Sequence, residues 1–205
     1  MDVIDFEWAR CIDGYGLTED GSDIQAMSER FEEYRPTKIP VLFQIFVDMP
    51  ASSKGALEFV NKFGALGGSL SIYCLNEPTN SFLERQQALR QATELAQTGN
   101  WIDLVDYYNA RQSSQIESGR LRSQLRHQPR GSVALVFVPT NLTQFLWLQF
   151  ALHLASDAKL LRCERCSAPF RVGAGTGRRE TAKFCSNACK VAAFRARNEG
   201  HSIHA

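Results

Sequence analysis

The chain has 205 residues, 44% hydrophobic and 22% charged, with a net charge of +1. That length and balance suit one medium globular domain with a small appendage and argue against a disordered or low-complexity chain. The near-zero total hides an asymmetry: residues 159–197 hold ten Lys or Arg against two acids, whereas residues 1–158 hold 13 basic and 19 acidic residues. A cationic end on an acidic body predicts that the end meets an anion, nucleic acid being the commonest kind.

In chain order, Met1-Asp2-Val3-Ile4-Asp5-Phe6 has neither the basic start nor the apolar core of an export signal, so the expected location is the cytoplasm. Residues 1–35 mix aromatics with the turn-rich acidic stretches around Gly14, Gly16 and Gly21, predicting a short hairpin or an irregular opening. Pro40 leads into Val41-Leu42-Phe43-Gln44-Ile45-Phe46-Val47-Asp48-Met49. The run suits a buried strand or a helix, and proline at a first helical position favours the helix. Ser53 then precedes a second helix with Leu57, Phe59, Val60 and Phe63, closed by Gly64. Ser81-Phe82-Leu83-Glu84 forms a capping-box pattern before Ala88, Leu89, Ala92, Leu95 and Ala96, with Gly99 as the left-handed stop. A further helix is expected from Ile102, with Leu104, Val105 and Tyr108 on one face, continuing or restarting towards Leu121 and Leu125. Val133–Val138 is β-branched and bounded by Gly131 and Pro139, which predicts a strand. Asn141 and Gln144 cap an almost wholly apolar helix over 142–155, too short and too interrupted by Gln144, Gln149 and His153 to span a membrane. It should form the centre of the main core.

Almost no linker separates that helix from the last segment, so the expected fold class is α+β. A mostly helical domain with a few strands (1–158) carries a docked C-terminal zinc finger (159–198) and a flexible tail (199–205). Four of the six cysteines carry the argument: Cys163-x2-Cys166 and Cys185-x3-Cys189. The first spacing fits a knuckle, and the second puts two sulfurs on one face of a helix. Ser186 or Asn187 stands near the helix start, whose positive end favours thiolate. Pro169-Phe170-Arg171-Val172 and Thr181-Ala182-Lys183-Phe184 are expected to form a hairpin around Gly173, Gly175 and Gly177. Knuckle, hairpin and helix describe a treble-clef-like fold. Four thiolates saturate tetrahedral Zn²⁺ and leave no place for a reacting water, so the zinc is structural. The alternatives are four buried or redox thiols, or an iron–sulfur cluster. Cys11 and Cys74 lie far apart with no patterned neighbours and read as buried apolar thiols.

The finger's helix continues through Lys190-Val191-Ala192-Ala193-Phe194-Arg195-Ala196-Arg197, with Val191 and Phe194 expected to pack under the hairpin. Arg178, Arg179 and Lys183 sit in or beside the glycine loop, and Arg120, Arg122, Arg126 and Arg130 form a second group that can extend the patch or be an ordinary helix side. Such clusters bind phosphate electrostatically. These cysteines, with Phe184-Cys185-Ser186-Asn187-Ala188-Cys189 and the basic tail, resemble the C-terminal finger of bacterial CGNR-type proteins, in which a larger ABATE domain precedes the finger. Leu57–Gly64 and Phe145–Gln149 are similar to segments of proteins with this layout; in place of Cys-Gly-Asn-Arg, this chain has Cys189-Lys190-Val191-Ala192. The resemblance implies a stress-response transcription regulator that binds DNA, with Cys163, Cys166, Cys185 and Cys189 as ligands and Arg178, Arg179, Lys190, Arg195 and Arg197 as DNA contacts, Lys183 joining them from the glycine loop. The Phe-Cys-Ser form also resembles small gyrase-inhibitor ribbons that bind protein, so a protein partner, as for an antitoxin-like module, and a homo-oligomer stay open. No enzyme is expected: His127 and His153 are isolated, and His201 and His204 lie in the tail with only Glu199 nearby.

Overall fold

The computed structural model describes residues 4–67, 73–114, 121–127 and 133–201, with the backbone alone for 112–114 and 197–201. It is an α+β fold in two compact units, Met1–Ile39 with Phe46–Leu148 and Pro40–Ile45 with Gln149–Ala205.

In the first unit, β1 (Trp8–Cys11) pairs antiparallel with β4 (Phe31–Tyr34). The strands β2 (Tyr15–Leu17), β3 (Asp23–Ala26) and β5 (Asn76–Pro78) form a second small antiparallel sheet. The predicted hairpin is β2–β3. Its turn closes where Asp20 accepts from the Thr18 hydroxyl at 2.7 Å and Gly21 adopts φ 70.

Helix α1 (Leu42–Asp48) follows the proline, as the sequence predicts. Helix α2 (Ser53–Phe63) is capped by Ser52, whose hydroxyl accepts from Gly55 N–H at 3.1 Å. The cap is thus the first serine of the pair, because only it stands in extended geometry one residue before the helix. Helix α3 (Thr79–Gln97) begins after Pro78, ahead of the Ser81–Glu84 pattern, so that pattern lies inside the first turns. Helix α4 (Trp101–Ser114) packs beside α3 and buries Leu104, but Val105 is 55% exposed.

The aromatic side chains fill this unit's core. Phe46, Phe59 and Phe82 meet edge to face with centroids 5.0–5.8 Å apart, and Phe6 stacks on Trp8 and on Phe145. Such contacts add to burial by about 0.5–1.5 kcal/mol each. The Trp8 indole N–H donates to Ala65 O at 2.9 Å, so burying the ring leaves no orphaned donor.

Gly64 ends α2 at φ 81, and a Cβ there would stand 2.4 Å from Ala9 O and 3.2 Å from the Trp8 ring. Gly64→Ala is therefore expected to cost about 2–3 kcal/mol in chemical denaturation, combining a Gly-only backbone with a clash. Gly21→Ala, where an added methyl meets nothing within 4 Å, should cost only about 1 kcal/mol from its positive φ.

The expected continuation of α4 towards Leu125 is a strand instead. β6 (Arg122–His127) pairs antiparallel with β7 (Val133–Val138), the strand predicted from its β-branched run. Every residue of β6 is exposed, whereas Ala134 and Val136 of β7 are buried. Helix α5 (Leu142–Leu154) is capped as predicted: Gln144 N–H donates to Asn141 Oδ1 at 2.9 Å, and Gln144 Oε1 accepts from Thr140 N–H at 3.0 Å. Its Leu142, Phe145, Leu146, Trp147, Leu148 and Phe150 are all buried.

In the second unit, Phe43 meets the Phe150 ring at 5.7 Å, and its N–H donates to Gln149 Oε1 at 2.9 Å. The strands β8 (Lys159–Arg162) and β9 (Pro169–Val172) pair antiparallel, Arg162 opposite Pro169. This corrects the expected hairpin: β9 pairs with the strand before the first cysteines rather than with 181–184, and residues 173–178 close through a Gly173–Arg178 bridge and through Thr176, whose N–H and hydroxyl donate to Gly173 O. Helix α6 (Asn187–His201) completes the unit.

Candidate metal centre

Residues 163–168 form the loop of the β8–β9 hairpin. Cys163 N–H donates to Ala168 O at 3.0 Å, and Ser167 N–H donates to Cys163 O at 2.9 Å. To close this knuckle, Ser167 takes φ 58, the left-handed region that favours glycine. Ser167→Gly should therefore stabilise the finger by about 0.5–1 kcal/mol, seen as slower metal loss to a chelator; an unchanged rate would show that the turn carries no strain.

Glu164 N–H donates to Lys183 O at 3.0 Å, tying the knuckle to the segment before α6. Ser186 precedes that helix, and its hydroxyl accepts from Cys189 N–H at 3.2 Å. This cap fixes the first turn, so that Cys185 and Cys189 face the knuckle together. Beneath them lies a small core of Cys163, Phe170 and Val172, with Ala182 and Phe184 packed against it.

The four predicted sulfurs are brought together. All lie within 4.8 Å of one another. The Cys166–Cys185 and Cys185–Cys189 separations are each 3.6 Å, and Cys189–Cys166 is 3.8 Å. A tetrahedral ion with sulfurs at about 2.3 Å has sulfur–sulfur edges of about 3.8 Å, so the cage has the size of a metal–thiolate tetrahedron and can hold a metal ion.

Desolvation alone would raise the Cys163 thiol, but N–H groups of Cys185, Cys166 and Arg165 hold it down to about 6. Cys185 is pushed up to about 12, by desolvation first and then by its neighbouring thiols Cys189, Cys166 and Cys163. Four negative sulfurs this close need a cation among them.

The cationic residues divide into paired and unpaired. Lys183 meets Glu164 at 3.0 Å and Lys159 meets Glu180 at 2.7 Å, which uses both acids of residues 159–197. Arg178, Arg179 and Lys190 have no carboxylate partner among the described residues. Arg178 is held over the Phe170 ring at 5.5 Å. Together with Lys183, these three line an open cleft of about 660 Å³. Arg195 is exposed on α6 but does not line that cleft, and the side chain of Arg197 lies outside the described residues.

Val191 and Phe194 do not pack under the hairpin: they are 39% and 60% exposed. The small core is already filled by Phe170, Val172, Ala182 and Phe184.

The second arginine group does not form a helix side. Arg122 and Arg126 lie on β6, Arg126 pairs with Asp5, and Arg120 and Arg130 lie outside the described residues. Of the other sequence candidates, Cys11 is buried, Cys74 is half-buried, and His153 packs against Phe43 at 5.4 Å. Burial and then the Arg171 charge lower the His153 pKa. His127 is exposed on β6, while the side chain of His201 and all of His204 lie outside the described residues. No helix among the described residues is long and apolar enough to cross a membrane.

Fold and site together define an α+β protein with a C-terminal finger whose four cysteines are placed so that they can hold a metal ion. No family model, curated protein or solved structure matches the chain.

Proposed function

We propose that this chain is a non-catalytic zinc-binding regulatory protein of the cytoplasm, whose finger holds one structural Zn²⁺ and presents a cationic cleft to DNA. The observation that carries the reading is the charge ledger of the finger. Lys159 and Lys183 use both acids of residues 159–197, and among the described residues Arg178, Arg179 and Lys190 have no carboxylate partner beside one cleft. Unpaired cations clustered on a small rigid module attract phosphate, and counterion release makes that attraction salt-dependent. This is also the role implied by the resemblance to CGNR-type fingers.

The test is binding of the zinc-loaded chain to labelled DNA across a salt series. Affinity should fall steeply as salt rises. Absence of binding even near about 50 mM salt ends the reading.

One observation favours a second reading, in which the finger is a scaffold for a protein partner. Val191 and Phe194 form an exposed apolar pair on α6, the kind of anchor that protein interfaces bury. Co-purification of a stoichiometric partner, lost in Phe194→Ser, would support it. Recovery of the chain alone would count against it.

A further inference from the structure

A cleft lies between the glycine loop and α6. A phosphodiester on a double helix is convex and is met by cations on a surface, whereas this feature is a concavity of about 660 Å³. That volume is comparable to small-molecule clefts, about 300–1,000 Å³, and the cleft is open to solvent, so a strand can enter it from the side.

Its lining has two parts. Arg178, Arg179, Lys183 and Lys190 supply positive charge, while Ala182 and Phe184 supply an apolar wall. The wall is fixed, because both residues also pack against the core of Cys163, Phe170 and Val172 that the metal centre closes. Arg178 is held by Phe170. An aromatic and apolar wall beside clustered cations is the chemistry that takes a base on its face and a phosphate at its edge. In a duplex the bases are stacked and paired, so none can enter such a hollow without being flipped out, at a cost of a few kcal/mol.

We propose that the cleft takes an unpaired nucleotide, so that the finger prefers single-stranded to duplex DNA. This inference rests on the DNA reading above. The base lies against Phe184 and Ala182. The flanking phosphates meet Arg179, Arg178 and Lys190, and Lys183 exchanges Glu164 for phosphate when the strand is seated.

The experiment uses the full zinc-loaded chain and three labelled DNA probes of equal length: a single strand, the same sequence as a duplex, and a strand whose central nucleotides are abasic. Fluorescence anisotropy is read at about 0.1 M salt. One stacked base is worth about 1–3 kcal/mol, so the intact strand should bind at least about fivefold more tightly than the abasic strand, and more tightly than the duplex. Equal binding of the abasic and intact strands, or tighter binding of the duplex, overturns the single-strand inference and leaves the DNA reading standing. No binding of any probe overturns both. Phe184→Leu should lose the preference for intact over abasic strand while keeping its zinc. If that variant loses zinc, the abasic comparison on the wild-type chain still decides.

Discussion

Replacing Cys185 with serine is expected to abolish metal retention and unfold the finger while leaving the first unit folded. Three sulfurs and a hydroxyl do not reproduce the four-thiolate cage, and the finger's own core holds only Cys163, Phe170 and Val172 as fully buried residues. A core that small cannot order some forty residues against chain entropy. On the proposed zinc reading, metal binding supplies the difference, which is on the order of 10–16 kcal/mol in zinc-finger peptides. Hydrogen exchange should show lost protection across 159–196 and retained protection at Trp8, Phe59, Phe82 and Phe145, which are buried in the other unit. Chelation of the wild-type chain should do the same reversibly. Acid should as well, since protons compete with the metal for thiolate. A fully protected finger in the serine variant would show that metal does not stabilise the fold.

The second large effect concerns charge. The triple variant R178A/R179A/K190A should bind DNA far more weakly while folding and retaining metal normally, because among the described residues none of the three makes an ion pair, and none is one of the four cysteines. Each phosphate contact contributes a slope of about 0.7–0.9 in log affinity against log salt. Removing three should lower the slope by about 2–3 and weaken binding by about 100–500-fold near 0.1 M salt. Arg195→Ala, outside the cleft, should have a smaller effect than Arg179→Ala. If the triple variant binds as the wild type does, the cleft is not the contact surface.

The sequence was most legible where local chemistry alone decides the outcome. The cysteine spacings indicated a shared site, and the sulfurs do meet, although Cys185 stands just ahead of the Ser186 cap rather than on α6, where only Cys189 lies. Gly64 and Gly99 marked helix ends because they take φ 81 and 72. Asn141 with Gln144 announced α5 because Asn141 Oδ1 accepts from the Gln144 N–H in the first turn, while Gln144 Oε1 accepts from Thr140 N–H just ahead of the helix.

It was least legible where tertiary context wins. β6 has no apolar alternation, being exposed along its whole length, and only its ladder with Val133–Val138 makes it a strand. The partner of β9 could not be read because Lys159–Arg162 has no alternation of apolar and polar residues, and only its ladder with Pro169–Val172 makes it a strand. Val191 and Phe194 have helical apolar spacing, but Phe170, Val172 and Phe184 already occupy the small core they would have entered. The cleft itself was invisible, because Phe184 reads as part of a metal motif rather than as a wall.

X-ray absorption at the metal edge, combined with elemental analysis of the purified chain, tests the central claim most directly. The expected result is one zinc per chain with four sulfur neighbours at about 2.3 Å. Iron in place of zinc, a shell of nitrogen or oxygen, or no bound metal in protein that retains a folded finger would contradict it.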